Sequence, residues 1–245
     1  MRPMKIVVLD GYALNPGDNP WDEIEALGDL VVHDRTAAEQ ILERSRGAEI
    51  LLTNKTPLSR ETLEQLPELR YVGVLATGYN VVDVAAAGEK GIPVANVPVY
   101  GTDSVAQHVF ALLLELCNHA GLHGRAVAAG EWAAQPDYSF WKTPLVELAG
   151  KTMTVVGFGR IGRRVGELAH AFGMNVMAVD IVRRDPPPYE PFAWAELQEG
   201  FEKADVVSLN CALTPDNQGF VDETLLAVMK KSAFLINAAR GQLVD

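Results

Sequence analysis

Short apolar, β-branched runs alternate with segments of helical period from one end of this chain to the other. That alternation constrains the fold more than any single motif. Strands are predicted at residues 5–9, 30–33, 49–52, 71–75 and 94–95, and helices between them at 21–27, 37–46, 60–65 and 82–90. Strands that regularly return through a helix pair in parallel, with helices on both faces of the sheet. A longer segment, 103–119, then carries Val105, Val109, Leu112, Leu113 and Leu116 at helical spacing, with Asp103 or Ser104 placed to cap its start. An aromatic-containing stretch, 130–142, has little periodicity. The alternation resumes with strands at 153–156, 175–179, 206–209 and 234–236 and helices at 161–172, 194–200 and 223–229. The pattern predicts two α/β domains, residues 1–100 and 101–245. No repeat of solenoid period is visible, and Pro186-Pro187-Pro188 is too short to be more than a stiff loop.

The 245 residues carry 21 basic and 32 acidic side chains, a net charge of −11. An acidic surface repels phosphate backbones and anionic lipid, which argues against nucleic-acid and membrane partners. Two cysteines, Cys117 and Cys211, make no disulfide framework, and no Cys or His cluster has zinc-finger spacing. The opening residues read straight into a strand and lack the apolar segment of a signal peptide, and no apolar run is long enough to span a bilayer. The expected location is the cytoplasm. At the other end, the strand at 234–236 and the loop Ala238-Ala239-Arg240-Gly241 lead into Leu243-Val244-Asp245, where the next element is only begun. The second domain is therefore expected to lack its C-terminal part.

Gly157-Phe158-Gly159-Arg160-Ile161-Gly162 fits G-x-G-x-x-G between a predicted strand and a predicted helix. In that context Gly157 permits the tight turn, Gly159 lets backbone approach a pyrophosphate, and Gly162 lets helix and strand pack closely. The helix N-terminus offers unpaired N–H groups to the phosphates. Asp180 ends the next strand roughly 20 residues on, the spacing of an acid that binds ribose hydroxyls. A carboxylate there favours NAD over NADP, although Arg183 and Arg184 follow it closely. The competing reading is a structural glycine turn with a surface aspartate.

The glycine loop and Asn237-Ala238-Ala239-Arg240-Gly241 together resemble the D-isomer-specific 2-hydroxyacid dehydrogenases. Leu75-Ala76-Thr77-Gly78-Tyr79-Asn80, Ser104-Val105-Ala106-Gln107-His108, Val8-Leu9-Asp10-Gly11-Tyr12 and Thr53-Asn54-Lys55-Thr56-Pro57-Leu58 sharpen the likeness, toward the glycerate dehydrogenase (hydroxypyruvate reductase) branch. The resemblance implies two doubly wound parallel-sheet domains with the active site in the cleft between them. A flavodoxin-like domain would bind substrate, and a Rossmann domain, here incomplete, would bind NAD. It implies a cradle for the substrate carboxylate at the Thr77 and Gly78 N–H groups, with Lys55 facing the cleft, either to meet an anionic substrate or as a solvated loop lysine. Arg240 would be the catalytic clamp on carboxylate and keto oxygen, its planar fork polarising C2 toward hydride. By the same resemblance Phe158, Arg160, Ile161, Thr77, Ala212, Ala238 and Arg240 line the nucleotide. The implied activity is reduction of a small 2-keto acid, hydroxypyruvate or glyoxylate, to the D-hydroxy acid.

The family's proton donor, a His oriented by a Glu, lies downstream of the arginine loop, as does the Asp that anchors the nicotinamide carboxamide. Losing a positioned acid forfeits about 10²–10⁴ in rate. His33, His108 and His170 carry no pattern that marks a substitute; His108 reads as a satisfied interhelical residue. A non-catalytic NAD(H)-binding protein or an inactive fragment is the alternative of a different class, and formate or phosphite oxidation is an alternative on the same scaffold. His119 and His123 stand four apart, but no nearby carboxylate completes a metal site. Trp132, Tyr138, Phe140 and Trp141 read either as core packing or, by resemblance, as the arm of a homodimer. Asn210 and Ala212 stand where family members often carry His and Pro, a departure bearing on nucleotide affinity.

Overall fold

β1 (Lys5–Val8) sends Val7 to one face of a sheet and Ile6 and Val8 to the other, all three fully or almost fully buried. A strand apolar on both faces needs a layer on each side. The computed structural model, which describes residues 3–15 and 17–245, provides them. It comprises two compact units, Met1–Tyr100 and Gly101–Asp245.

In the first unit β1 is followed by α1 (Asp22–Glu25), β2 (Asp29–Val32), α2 (Ile41–Ser45), β3 (Ile50–Thr53), α3 (Arg60–Glu64), β4 (Tyr71–Val74), α4 (Val84–Glu89) and β5 (Val94–Asn96). The strands are all parallel, in the order β2-β1-β3-β4-β5, with Ile6 opposite both Leu30 and Ile50 and Thr53 opposite Val74. Val7, Leu51, Val72 and Val74 pack with Leu58, Leu63, Ala86 and Ala87, while Ile6, Val8 and Leu52 pack with Trp21 and Ile24. Burying each such Leu, Ile or Val is worth about 1.5–3 kcal/mol. Ser59 and Asp83 cap α3 and α4 by accepting from the N–H groups of Thr62 and Ala86.

The second unit begins with α5 (Thr102–Asn118) and α6 (Ala120–Ala128). It continues through β6 (Thr152–Val156), α7 (Arg160–Ala171), β7 (Asn175–Val179), β8 (Phe192–Trp194), α8 (Leu197–Lys203), β9 (Val206–Leu209), α9 (Glu223–Ala227) and β10 (Phe234–Asn237). Its sheet is again parallel, in the order β10-β9-β6-β7-β8. Strand order reverses between β6 and β9, the place where α/β sheets bind ligands at strand carboxyl ends.

Two expectations are corrected, and one helix carries no sequence signal. Trp194 ends β8, opposite Ala178, and does not start a helix; α8 begins at Leu197. A three-residue strand held by ring contacts with Phe158 leaves almost no periodic signal. Neither Asp103 nor Ser104 caps α5, whose N-cap is Gly101. Asp103 lies in the first turn, ion-paired to Arg164 at 2.7 Å. Residues 120–128, assigned to no element by periodicity, form α6 after His119 takes a left-handed conformation, φ 47°. Gly121 and Gly124 weaken the helical signal there.

Asp205 ties this sheet together at the amino ends of its strands. Its carboxylate accepts from Thr152 N–H at 2.8 Å and from Lys230 Nζ at 2.9 Å. Burial alone would raise its pKa, but the Thr152 and Lys230 hydrogen bonds and the charges of Lys230 and Lys151 bring it below the ordinary carboxylate value. A depressed folded pKa contributes stability above the unfolded value, lost as pH falls through the folded one. Asp205→Asn is expected to cost about 1–3 kcal/mol at neutral pH. Urea unfolding should show this with unchanged m, and the difference from the parent should shrink on acidification.

Candidate nucleotide and substrate sites

The three glycines of the β6–α7 loop are required for three different reasons. Gly157 has φ 88°, and a Cβ there would lie 2.6 Å from the Cys211 nitrogen. A Cβ on Gly162 would lie 2.0 Å from the Gly157 carbonyl oxygen. Gly159 differs, since a Cβ there would meet nothing within 4 Å, and its φ of −76° suits any residue. The open space lies beside the N-terminus of α7, which no side chain caps. An open cradle at backbone N–H groups fits a dinucleotide's pyrophosphate. Arg160 and Ile161 form the first turn of α7.

Phe158 joins this loop to the acid that follows it. Its N–H donates to Asp180 Oδ2 at 2.7 Å, and Val182 N–H donates to Oδ1 at 3.0 Å. Asp180 is thus oriented by backbone at the end of β7, each oxygen keeping a lone pair for a ribose hydroxyl. The Phe158 ring is buried against Phe192 at 5.4 Å and Trp194 at 5.6 Å, so the loop offers a ligand its backbone and not this side chain. Arg183 is ion-paired to Glu196, while Arg184 is exposed. At the end of β9, Asn210 N–H donates to Val156 O at 2.7 Å, and its side chain donates back to Ser208. Burial pushes the neighbouring Cys211 thiol up, and the Asp180 charge adds to this. Ala212 is exposed, its carbonyl held by Asn217 Nδ2 at 2.8 Å.

The loop leaving β10 is built on Asn237. Its Oδ1 accepts from Ala239 N–H at 3.0 Å, and its Nδ2 donates to Arg240 O at 2.8 Å. The half-buried Arg240 spends one N–H on Ala239 O at 3.0 Å. Among the described residues no carboxylate lies within 4.0 Å of its guanidinium, so its other donors are available to an anion. Ala238 packs partly buried beside Ile236.

In the first unit, Asn96 Nδ2 donates to Thr77 O at 2.8 Å and Thr77 Oγ1 donates to Val97 O at 3.1 Å. These bonds hold the loop after β4 through its carbonyl and hydroxyl. Among the described residues, the N–H groups of Thr77 and Gly78 have no acceptor. Two adjacent unpaired N–H groups, one on glycine, leave donors that an anion can use. Lys55 is exposed on the loop after β3. Sequence reasoning gave no role to the residues that hold these loops, Asn96 and Asn237; an Asn leading into a loop of small or polar residues was the available signal.

The remaining residues sort plainly. His108 is exposed on α5, not enclosed between helices. His123 Nε2 accepts from Lys142 N–H at 3.1 Å and its Nδ1 faces His119 O at 2.9 Å, so neither nitrogen is left for a metal. His170 stacks on Tyr189 at 4.8 Å. Burial, with the charges of Arg44 and Lys5, lowers the pKa of His33. Tyr138 and Trp141 are 92% and 71% exposed, so core packing does not describe them; only Phe140 is drawn in, beside Trp132 and His123.

Gly159→Ala is expected to leave unfolding free energy within about 1 kcal/mol of the parent while weakening NADH binding by about tenfold or more. Gly162→Ala should lose both. Fluorescence titration with NADH and urea unfolding of the same samples check the contrast.

Residues 110–245 match the model of the NAD-binding domain of D-isomer-specific 2-hydroxyacid dehydrogenases. A hydroxypyruvate reductase from Blautia hydrogenotrophica is 50% identical over 244 residues, 98% of this chain and 76% of the relative. A glycerate dehydrogenase from Methylorubrum extorquens is 37% identical over 207 residues, 84% of this chain and 64% of the relative. The crystal structure of a D-lactate dehydrogenase from Aquifex aeolicus, complexed with NAD and lactic acid, superposes with a TM-score of 0.83 at 27% identity, covering 98% of this chain and 70% of that one. With its glycine loop, oriented Asp180 and unpaired Arg240, this chain belongs to the D-isomer-specific 2-hydroxyacid dehydrogenase family, whose members are NAD-linked oxidoreductases.

Proposed function

We infer that this protein reduces a small 2-keto acid, hydroxypyruvate or glyoxylate, to D-glycerate or glycolate. NADH, when bound, supplies the hydride. Gly157, Gly159, Gly162 and the α7 N-terminus would hold its pyrophosphate, Asp180 its adenosine ribose, and Ala212 and Ala238 its flanks. The Thr77 and Gly78 N–H groups take the substrate carboxylate. Arg240 grips the carboxylate and keto oxygen together and stabilises the alkoxide as it forms, and water supplies the proton that completes the hydroxyl. The observation that carries this reading is Arg240 itself, a half-buried cation on an Asn237-braced loop with no acid beside it among the described residues. Among those residues no histidine lies within 4.0 Å of a carboxylate, and the family's His and Glu lie beyond the arginine loop.

The same reading includes a homodimer, supported by the exposed aromatics Trp132, Tyr138 and Trp141. It also places the reaction in the cytoplasm. No described helix is long and apolar enough to cross a membrane.

The test is NADH oxidation at saturating hydroxypyruvate, with NADH binding followed by fluorescence. Arg240→Lys removes the bidentate fork and is expected to cost about 10²-fold or more in kcat/KM with NADH affinity little changed. Turnover insensitive to that substitution would remove Arg240 from the mechanism. Nucleotide binding without turnover would reduce the reading to a dinucleotide-binding protein.

A further inference from the structure

Asp10 follows β1 at the carboxyl edge of the first sheet and is 5% exposed. Among the described residues no cation pairs with it, an unfavourable setting for a carboxylate unless hydrogen bonds satisfy it. Three consecutive backbone groups do so. Oδ1 accepts from Asn54 N–H at 2.8 Å, and Oδ2 from Thr56 N–H at 2.7 Å and from Lys55 N–H. The clamped segment is tied onward to the neighbouring strand, for Asn54 Nδ2 donates to Leu75 O at 2.9 Å. Thr53 pairs with Val74, so the loop bearing Lys55 and the loop bearing Thr77 and Gly78 leave adjacent strands at the same edge.

The clamp takes the N–H of Lys55 and leaves its ammonium. That side chain is exposed, and among the described residues no carboxylate lies within 4.0 Å of it. In a chain of net charge −11, a lysine without an acid partner among the described residues, on a loop whose strand adjoins the one leading to a pair of unpaired N–H groups, is suited to an anion with oxygen at both ends.

We propose that Asp10 is a positioning residue that fixes Lys55 to receive the C3 oxygen of a 2-keto acid whose carboxylate lies at Thr77 and Gly78. This rests on the reading under Proposed function and deepens it. The preferred substrates are 2-keto acids oxygenated at C3, and Lys55 is the residue that selects them. A compact ammonium with three donors can hydrogen-bond a hydroxyl there and gains nothing from a methyl.

The experiment compares hydroxypyruvate with pyruvate, which has the same carbon skeleton without the C3 oxygen, on the full chain at saturating NADH. Both kcat/KM and the binding constant measured by calorimetry are recorded. Lys55→Met is expected to lower the hydroxypyruvate-to-pyruvate ratio about tenfold, and Lys55→Arg to restore part of it. Asp10→Asn sets an amide NH₂ against the Asn54 N–H or against those of Lys55 and Thr56, opening the clamp either way, and should lower the same ratio, adding nothing once Lys55 is Met. Asn54→Ala, which cuts the tether to Leu75 and leaves Asp10 in place, should reproduce the loss if Asp10→Asn does not fold. An unchanged ratio in Lys55→Met, or effects of Asp10→Asn and Lys55→Met that multiply, overturns the proposal. If the parent protein neither binds nor reduces either keto acid, the reading under Proposed function fails and takes this inference with it. If it does and the ratio does not move, this inference alone falls.

Discussion

A parallel strand ends with backbone groups that its neighbours no longer pair, and in both units those ends carry the groups assigned to chemistry. The loops there keep one shape because single polar side chains bind their backbone: Asp10 for residues 54–56, Asn96 for Thr77, Asp180 for Phe158, and Asn237 for Ala239 and Arg240. Each bond is worth about 0.5–1.5 kcal/mol in stability, or about 1.5–3 kcal/mol where a carboxylate accepts, yet each also decides which donors are consumed and which stay open. Thr77 is held through its carbonyl and hydroxyl, so its N–H is left over. Arg240 is held through its own carbonyl, so most of its guanidinium is left over.

The nucleotide loop adds a steric constraint. Gly157 brings its backbone to where a Cβ would strike the Cys211 nitrogen, and Gly162 sits over the Gly157 carbonyl. Those contacts bring the end of β6 against the end of β9 and aim the α7 N-terminus. Phe158 then serves two purposes with separate atoms. Its buried ring ties the loop to β8, while its N–H orients the Asp180 carboxylate. A substitution here would move packing and the orientation of Asp180 together.

Electrostatics reinforce the division of labour. The acidic partners of Arg164, Arg183 and Lys230 pair them off in structural bonds. Lys55 and Arg240 have no such partner among the described residues. In a protein of net charge −11, a cation without an acid partner is a place where an anion is not repelled.

The sequence by itself determined the parallel α/β architecture, because strands apolar on both faces and alternating with helices admit little else. It also marked the glycine loop and Asp180 by local residue type and spacing, whereas Arg240 was marked only by the resemblance its motif carries. Strand order, and with it which loops become neighbours, was decided only in the tertiary structure. Asp10 meets Asn54, Lys55 and Thr56 because β1 and β3 pair, and no local pattern records that. Trp194 belongs to β8 because its ring packs on Phe158, against its apparent helical context. The bond from Lys142 N–H to His123 Nε2 likewise joins residues that no local pattern pairs. Local propensity reads the residue; the pairing of distant strands decides which of its atoms remain free.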